Sequence, residues 1–306
     1  MRISAITLIL VSVIFLSFGQ NMLVHTNGSS TPATYPLATI DSITFVLPSP
    51  WVALHDPVLA VQFSDNPTNH NMHIASDGAF YYTINGGSVP SGKINKYTLA
   101  GVLVASYPIA IDGRGLSYNK ADGFLYASLY GGDIVKITSL AAGTFTTVFA
   151  AKMTNGQASF AISPDGTKMY DFASGTVKVY NFQTGALLST YTGLSYGAGN
   201  FGGEFAIAVD DMYMYTWDAT IKTVYVYTLT GTLVRSMVLP SGSCGLSLSF
   251  IDGYLFVAID GNYAAGTWYG YNIRRALGVA KKLAPVAVPA VLGKSAAVPV
   301  DDSTRK

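Results

Sequence analysis

An aspartate-led turn follows an apolar stretch at five regularly spaced places, and this repeat constrains the fold more than any other feature of the chain. The first residues of the turns are Asp77, Asp122, Asp165, Asp210 and Asp252. Successive aspartates are 45, 43, 45 and 42 residues apart. An Asp-Gly pair between apolar runs supplies the positive backbone dihedrals that tight hairpins require. The repeat therefore predicts a chain of similar hairpin units.

A second turn marker runs in phase with the first and divides each unit into four short strands. It ends at Gly101, Gly143, Gly185 and Gly231. In the clearest unit the strands are FAIS, KMYDF, TVKVYNF and ALLSTYT, and the third alternates its side chains as a strand with two different faces does. A period of about 44 residues with four antiparallel strands is typical of a β-propeller blade. We expect an all-β chain that forms a single β-propeller.

Length and ring closure predict the number of blades. The propeller is expected to span 41–273, which accommodates five four-stranded blades. The last unit lacks its fourth strand, and Ile43–Leu47 resembles the fourth strand of the preceding unit, so this N-terminal strand is predicted to complete the last blade. In this interpretation Trp51–Asn71 is a long loop. Six blades are the alternative, if Val58–Ser64 belongs to a degenerate extra blade.

The stretch AISPDGTKMYDFASGTVKVYNFQTGALLSTYTG, at Ala161–Gly193, resembles a unit of the YVTN and WD-repeat class of propellers, which includes exported bacterial proteins. The resemblance extends over about Met72–Ile273. It implies the propeller fold, whereas the functions of that class range over binding scaffolds, lactonases and cofactor-bearing oxidoreductases. No catalytic motif of the class transfers to positions of this sequence, so the resemblance does not choose among these functions.

The two ends of the chain differ from the repeated region. In residues 1–20 one arginine precedes an apolar run, the pattern of a secretory signal peptide, with an uncleaved anchor as the alternative. We expect a secreted, periplasmic or cell-surface protein with no transmembrane segment after signal removal. Residues 21–40 read as a polar leader. Residues 274–306, rich in Ala, Val and Pro, carry seven Lys/Arg and two Asp and are expected to form a flexible basic tail.

Charge and cysteine content argue against several classes of protein. Charged residues make up 11% of the chain and the net charge is +1, which does not favour nucleic acid as a partner. The single cysteine, Cys244, cannot form an intrachain disulfide. A catalytic thiol needs a nearby histidine, and all four histidines precede residue 74. We therefore expect no thiol nucleophile.

The loops that gather at one end of a propeller axis commonly bind ligands, so their polar residues are the candidate ligand-binding set. The candidates are His70, Asp112, Arg114, Tyr130, Glu204, Asp218 and Asp260. Glu204 is the only glutamate, and its carboxylate facing the Arg114 guanidinium would orient a sugar, a peptide or a small acid. The repeated aspartates are expected at the opposite end of the ring, as turn formers.

Other patterns carry less weight. Asp65, His70 and His73 would hold a metal only if a loop brought them together, since residues three apart on a strand face opposite ways. We expect no cofactor, with a metal ion as the open alternative. GLSYG at Gly193–Gly197 and GAGNFG at Gly197–Gly202 match a nucleophile pattern and a dinucleotide pattern. The nucleophile pattern needs a strand-to-helix elbow, whereas Ser195 is expected in a loop between strands with no histidine later in the chain. The dinucleotide pattern needs a following helix, and a strand is predicted instead, so we expect flexible loop glycines at Gly197–Gly202.

Three functions remain open. The first is an exported propeller that binds or scaffolds a glycan, peptide or cell-envelope partner through its loops, which low charge and twenty tyrosines favour. The second is a hydrolase, lactonase-like or a glycosidase, that uses two carboxylates in these loops. The third is a structural surface protein. We favour a binding module with a protein or carbohydrate partner over an enzyme, and the oligomeric state stays open.

Overall fold

The computed structural model describes residues 21–24, 33–36, 54–65, 69–87, 92–199 and 201–274. The chain divides into two compact units, Met1–Pro48 and Ser49–Lys306. In the first unit, β1 (Asn21–Val24) pairs antiparallel with β2 (Ala33–Pro36). Across the described ranges there is no helix long and apolar enough to span a bilayer.

The second unit is a five-bladed β-propeller of four-stranded antiparallel sheets, which confirms the predicted fold class and number of blades. Blade 1 consists of β4 (His70–Ser76), β5 (Phe80–Gly86), β6 (Lys93–Thr98) and β7 (Leu103–Pro108). Blade 2 consists of β8 (Gly113–Asn119), β9 (Phe124–Leu129), β10 (Ile134–Ser139) and β11 (Thr144–Phe149). Blade 3 consists of β12 (Phe160–Ile162), β13 (Lys168–Ala173), β14 (Thr176–Asn181) and β15 (Leu187–Thr192). Blade 4 consists of β16 (Ala208–Val209), β17 (Tyr213–Asp218), β18 (Thr223–Thr228) and β19 (Leu233–Val238). Blade 5 consists of β20 (Ser249–Ile251), β21 (Tyr254–Ile259), β22 (Gly266–Asn272) and β3 (Val58–Asp65).

The repeated aspartates build the turn between the first and second strands of their blades. Oδ1 of Asp77 accepts two backbone N–H groups of its own turn at 2.8 Å, and Oδ2 accepts the Tyr82 hydroxyl at 2.8 Å. Asp210 repeats this arrangement, with two backbone N–H groups at 2.7 Å and the Tyr215 hydroxyl at 2.6 Å. Each carboxylate thus ties its turn to the following strand. The predicted role as a turn former is confirmed for both residues.

An N-terminal strand closes the ring, as predicted, but it is a later segment than the one expected. β3 pairs antiparallel along the whole of β22 and supplies the fourth strand of blade 5. Ile43–Leu47, the segment expected in this place, lies outside the described residues. Val58–Ser64 is therefore neither part of a loop over Trp51–Asn71 nor part of a sixth blade. The alternating apolar residues of this segment belong to the closing strand.

Asp65, the last residue of β3, joins blade 5 to blade 1. Its Oδ1 accepts hydrogen bonds from Asn95 Nδ2 at 2.8 Å and from the Tyr97 hydroxyl at 2.5 Å. Its Oδ2 accepts from Asn71 Nδ2 at 3.1 Å and from Trp268 Nε1 at 3.0 Å. The side chain is buried, and a carboxylate has about four acceptor positions to offer. Three donors lie in blade 1 and one in blade 5, so this carboxylate fastens the two blades together.

Aromatic side chains fill the core of the propeller. Trp217, Trp268, Tyr215 and Tyr271 are among its largest fully buried side chains. The Tyr271 hydroxyl accepts the backbone N–H of Ser241 at 2.8 Å, as a buried tyrosine requires a hydrogen-bond partner. Many of the tyrosines that were interpreted as favouring ligand binding therefore belong to the core.

The innermost strands, β4, β8, β12, β16 and β20, contact one another in a closed cycle around the axis. Between them lies a cavity of about 120 Å³, whose lining reaches the turns at Lys120 and Asp252. Towards the opposite end of these strands, Phe205 packs against a cluster that includes Leu116 and Leu246. The axis is therefore filled by side chains at the end formed by the long loops, and its cavity lies towards the end formed by the aspartate turns.

Candidate ligand-binding face

The loop face is the end of the propeller formed by two kinds of loop: those between the second and third strands of a blade, and those that connect one blade to the next. All seven residues of the predicted ligand-binding set lie in or beside these loops. The structure brings five of them together in two contacting groups. The remaining two, Glu204 and Asp218, lie in other loops of the same face.

The first group consists of Asp112, Arg114 and Tyr130 at the entry of blade 2. Arg114 Nη2 donates to Asp112 Oδ2 at 3.1 Å, and the guanidinium carbon lies 5.1 Å from the centre of the Tyr130 ring. Burial lowers the pKa of Arg114, while the Asp112 carboxylate acts in the opposite sense. Arg114 is 7% exposed, whereas Tyr130 is 60% exposed. The group therefore presents an aromatic ring to solvent above a buried ion pair.

The second group joins blade 1 to blade 5. His70 Nδ1 lies 2.6 Å from Asp260 Oδ2, and Asp260 Oδ1 accepts the backbone N–H groups of Asn71 at 3.0 Å and Asn262 at 3.1 Å. The ring of Tyr263, 62% exposed, meets the His70 ring edge-on at 4.9 Å. These residues are 190 positions apart in the chain, so only ring closure brings them together.

Gly87, at the start of the loop between β5 and β6, lies between the two groups. Its backbone N–H donates to Asp112 Oδ1 at 2.7 Å. A Cβ atom added at Gly87 would lie 2.9 Å from Cδ2 of His70, and the φ of this residue is +100°. No side chain is therefore tolerated here without displacing the His70 ring. The two groups form one row across blades 5, 1 and 2, which we call the blade 1 row.

Glu204 lies in the loop between β15 and β16, which connects blade 3 to blade 4. Its backbone carbonyl accepts the N–H of Ser174 at 2.8 Å, which fixes this loop to the end of β13 in blade 3. Its Oε2 atom is buried and has no hydrogen-bond partner among the described residues. The neighbouring Phe205 is partly buried against a core cluster that includes Leu116. Arg114 pairs with Asp112, and the structure shows no ion pair between Arg114 and Glu204.

Asp218 acts within its own turn. Its Oδ1 accepts the backbone N–H groups of Thr220 at 2.9 Å and Ile221 at 3.2 Å. This is the arrangement of an Asx turn, which holds the loop between β17 and β18. The residue therefore has a structural role on the loop face, whatever else its second oxygen contacts.

Gly197 and Gly202 of the GAGNFG stretch, and Gly203 directly after it, pack closely against neighbouring backbone. Gly197 donates to the Trp217 carbonyl at 3.0 Å, and Gly202 accepts the N–H of Ala219 at 2.7 Å. A Cβ atom at Gly203, whose φ is +134°, would collide with the Trp217 carbonyl oxygen. At these positions the loop is therefore pressed against the end of β17, whereas Gly199 has open space around it.

The residues of the weak metal pattern separate in the structure. Asp65 holds the blade junction, His70 pairs with Asp260, and His73 lies 2% exposed among the innermost strands. Among the described residues, no group of three His, Cys, Asp or Glu side chains has an arrangement that could hold a metal ion. The alternation of β4 explains the separation, since it directs His70 and His73 to different places.

Buried polar atoms without a hydrogen-bond partner concentrate at the loop face. Seven such side-chain atoms occur among the described residues, and six of them belong to residues at or near this end. The six are Asn69 Nδ2, Asn85 Nδ2, Arg114 Nε, Gln157 Oε1, Asp171 Oδ1 and Glu204 Oε2. The seventh, Arg274 Nε, lies beside the aspartate turn of blade 4, where the guanidinium contacts Asp210. One end of the propeller therefore carries most of the unused hydrogen-bonding capacity.

Sequence reasoning missed Asn85, Asp171 and Tyr263. A signal for Asp171 does exist, because the corresponding positions of the other second strands are Thr83, Ala127, Thr216 and Val257. A carboxylate in place of a small or apolar residue on a buried strand is a departure from the repeat. Tyr263 offered no such signal, since its importance comes from its contact with His70 in another blade.

Compared with protein-family profiles and with curated sequences, the chain has no match. Among solved structures it is similar to the glutaminyl cyclase of Myxococcus xanthus, at 9% identity and a TM-score of 0.50, over 71% of this chain and 97% of that one. It is also similar to a tail fiber of Staphylococcus aureus phage P68, at 17% identity and a TM-score of 0.49, over 72% of this chain and 53% of that one. For apo AztD of Citrobacter koseri the values are 10% identity and a TM-score of 0.35, over 58% of this chain and 48% of that one. At these identities the likeness concerns the fold alone, and the resemblance to YVTN and WD-repeat propellers is likewise supported only as a propeller fold.

Proposed function

We propose that the protein is a binding module that holds a polar ligand on the loop face of its propeller. The observation that carries the proposal is the concentration of buried, unpaired polar atoms at this end. Leaving a buried donor or acceptor unpaired costs about 1–3 kcal/mol, so a ligand that reaches several of them when the loops move gains affinity from each. The aspartates Asp77 and Asp210 at the opposite end, in contrast, use both oxygens within the fold.

Exposed aromatic rings on the same loops support this proposal. Tyr130, Tyr263 and Phe201 are 60%, 62% and 48% exposed. Tyr263 and Phe201 have positive φ values of 69° and 60°, which side chains of this size rarely adopt. Exposed aromatic residues held in an unfavourable backbone conformation are common where a surface contacts a partner. The exposed rings would supply contact area for the ligand, and the unpaired polar atoms would fix its orientation.

Three aspartates of the loop face are already engaged in contacts within the fold, which supports binding over catalysis. Asp112 forms an ion pair with Arg114, Asp260 contacts His70 at hydrogen-bond distance, and Asp218 holds a turn. Ring closure places Cys244 beside Asn71, the neighbour of His70. The separation of Cys244 from the histidines along the chain therefore does not by itself exclude a thiol nucleophile. Burial, however, raises the pKa of the Cys244 thiol to about 12, far above that of a reactive cysteine. Export remains part of the proposal, and the apolar N-terminal run supports it.

The test is a binding screen with short peptides and neutral oligosaccharides, followed by variants of the loop face. The double variant Tyr130→Ala/Tyr263→Ala is expected to weaken the best binder at least tenfold, because both exposed rings of the blade 1 row are lost. Phe145→Ala is the matched control, since Phe145 is an exposed aromatic residue on the outermost strand of blade 2. Isothermal titration calorimetry gives the affinities, and thermal unfolding shows that the variants fold.

Two results would contradict the proposal. One is an equal loss of affinity in the Phe145→Ala control, which would place the site elsewhere. The other is turnover of any member of the panel, a glutaminyl peptide included, that disappears in Glu204→Gln. The protein would then be an enzyme.

A further inference from the structure

We infer that the axial cavity is a second ligand site and that it takes a small zwitterion of the α-amino acid class. The ammonium group of the ligand pairs with Asp252, its carboxylate pairs with Lys120, and its side chain enters the cavity. The site lies at the end of the propeller formed by the aspartate turns, so the inference does not depend on the ligand proposed for the loop face. It follows from one turn that departs from the repeat and from the charges at the mouth of the cavity.

Asp252 does not hold its turn in the way that the other four repeated aspartates do. Each of those carboxylates accepts at least one backbone N–H group of its own turn. The Asp252 carboxylate accepts none among the described residues, and its turn relies on φ values of +47° at Asp252 and +85° at Gly253, as in a two-residue hairpin loop. Its Oδ1 atom lies 3.6 Å from Lys120 Nζ. This carboxylate is therefore available to a partner outside its own turn.

The pair of Lys120 and Asp252 lies at the mouth of the axial cavity. Both residues line the cavity, and their side chains are 60% and 39% exposed. They belong to blades 2 and 5, which stand on either side of blade 1 in the cycle of innermost strands. The contact therefore bridges part of the opening, and a molecule that enters from solvent meets these two charges.

The interior of the cavity is uncharged. Among the other described residues that line it there is no Asp, Glu, Lys or Arg, and most are apolar. The hydroxyls of Ser76 and Ser117 donate to backbone carbonyl oxygens at 2.8 and 3.1 Å, and the Ser249 hydroxyl lies 3.1 Å from the ring of His73. These hydroxyls already have partners within the fold. Recognition of a ligand therefore falls to the charged pair, while the interior suits a small uncharged group.

The charged pair selects a ligand that carries both signs of charge. Its 3.6 Å separation is longer than the roughly 2.7–2.9 Å of a charge-assisted hydrogen bond. An exposed ion pair of this kind contributes little to stability and is readily opened. A zwitterion replaces it with two charge-assisted hydrogen bonds, whereas a simple anion or cation would pair with one residue and leave the other without its partner.

The volume of the cavity limits the size of the ligand. A cavity of roughly 150 Å³ holds a benzene ring. The axial cavity has a volume of about 120 Å³. It therefore admits the side chain of alanine, serine or valine and excludes that of tryptophan.

The first test is calorimetric titration of the natural protein with alanine, serine, valine and tryptophan, beside alaninamide and N-acetylalanine. The two blocked compounds lack the carboxylate and the ammonium group, respectively. The three small amino acids are expected to bind, and each blocked compound should bind at least tenfold more weakly than alanine, since it loses one hydrogen bond between charged groups.

The second test uses variants of the charged pair. Lys120→Gln and Asp252→Asn are each expected to weaken alanine binding at least tenfold, and asparagine tolerates the positive φ of this turn. Lys136→Gln is the matched control and should leave the affinity unchanged. Lys136 forms an ion pair with Asp122 at 3.3 Å at the same end of the propeller, and neither residue lines the cavity. Thermal unfolding shows whether each variant folds.

Several results would overturn the inference. Equal binding of alanine and either blocked compound would reject a zwitterion, and tryptophan binding as tightly as alanine would place the site outside the cavity. If no amino acid bound at millimolar concentrations, the cavity would hold only water. An equal loss of affinity in Lys136→Gln would remove the charged pair from the site. The ligand series uses the natural protein, so it decides the question even if a variant fails to fold.

Discussion

At the scale of the residue, His73 shows how a side chain of one blade contacts the two blades beside it. It lies on β4 of blade 1, and its Nε2 and Nδ1 atoms are 2.9 and 2.8 Å from the carbonyl oxygens of Leu248 and Leu116. Those residues belong to the entries of blades 5 and 2. The carbonyl contacts raise the pKa of His73, but burial lowers it more, to about 4. The imidazole is therefore an uncharged link between three blades at neutral pH.

We expect His73 to make the protein less stable in mild acid. Between pH 6.5 and 4 the unfolded chain takes up a proton at His73 that the folded protein refuses, so the free energy of unfolding decreases as the pH falls through this window. The difference between the two pKa values corresponds to about 3 kcal/mol. Urea unfolding from pH 4 to 7 measures it. The pH dependence of the free energy of unfolding should shrink in His73→Gln and persist in the control His55→Gln. Equal slopes in His73→Gln and the natural protein would disprove the prediction.

At the scale of the element, β3 is attached to blade 1 by the Asp65 carboxylate and by the Phe63 ring, which stacks on Tyr81. Backbone pairing with β22 holds the strand within blade 5, whereas three of the four hydrogen bonds to Asp65 cross the junction from blade 1. A strand at the edge of a sheet is otherwise free to separate from its neighbour. The burial of Asp65 makes each of these bonds more valuable than a bond at the surface.

Asp65→Asn is expected to lower the free energy of unfolding by about 3 kcal/mol, because the amide NH₂ would face donors where the carboxylate accepts. Chemical denaturation measures the change. Asp56→Asn is the control near the same strand, since Asp56 forms only a surface ion pair with Arg235 at 2.7 Å and should change stability by less than about 1 kcal/mol. A loss at Asp65 no larger than that at Asp56 would rule out the junction as an important contact.

At the scale of the whole molecule, stability depends on whether the ring is closed. The innermost strands form a complete cycle of contacts, and β3 completes the last blade. A chain that starts at residue 54 keeps every strand of the propeller, whereas one that starts at residue 69 lacks β3. Removing β3 leaves Trp268 and the edge of β22 uncovered.

We expect the chain from residue 54 to unfold in one cooperative transition and the chain from residue 69 to lose that transition and bind an apolar dye. Differential scanning calorimetry and dye fluorescence distinguish the two. The chain from residue 54 also lacks Ile43–Leu47, so its cooperative unfolding would show that closure does not need this segment. Loss of cooperative unfolding in the chain from residue 54 would contradict closure by β3 alone.

The predictable and unpredictable parts of the structure differ in how far apart their partners lie in the chain. Five blades were predictable because each unit carries its own turn aspartate, as Asp77 and Asp210 show. The closing strand was assigned to Ile43–Leu47 because β3 has no turn marker and its partner lies about 200 residues away. The pair of His70 and Asp260 was hidden for the same reason. The candidate residues were found by their place in the repeat, but their grouping required the ring.

Closure by β3 also sets an order of events during synthesis. The strand is among the first parts of the propeller to be made, yet its partner β22 is the last strand to appear. Until residues 266–272 exist, the apolar alternation of β3 has no neighbour, and blades made earlier form an open arc. Completion of the ring therefore has to wait for the synthesis of blade 5, and until then the chain depends on protection from aggregation.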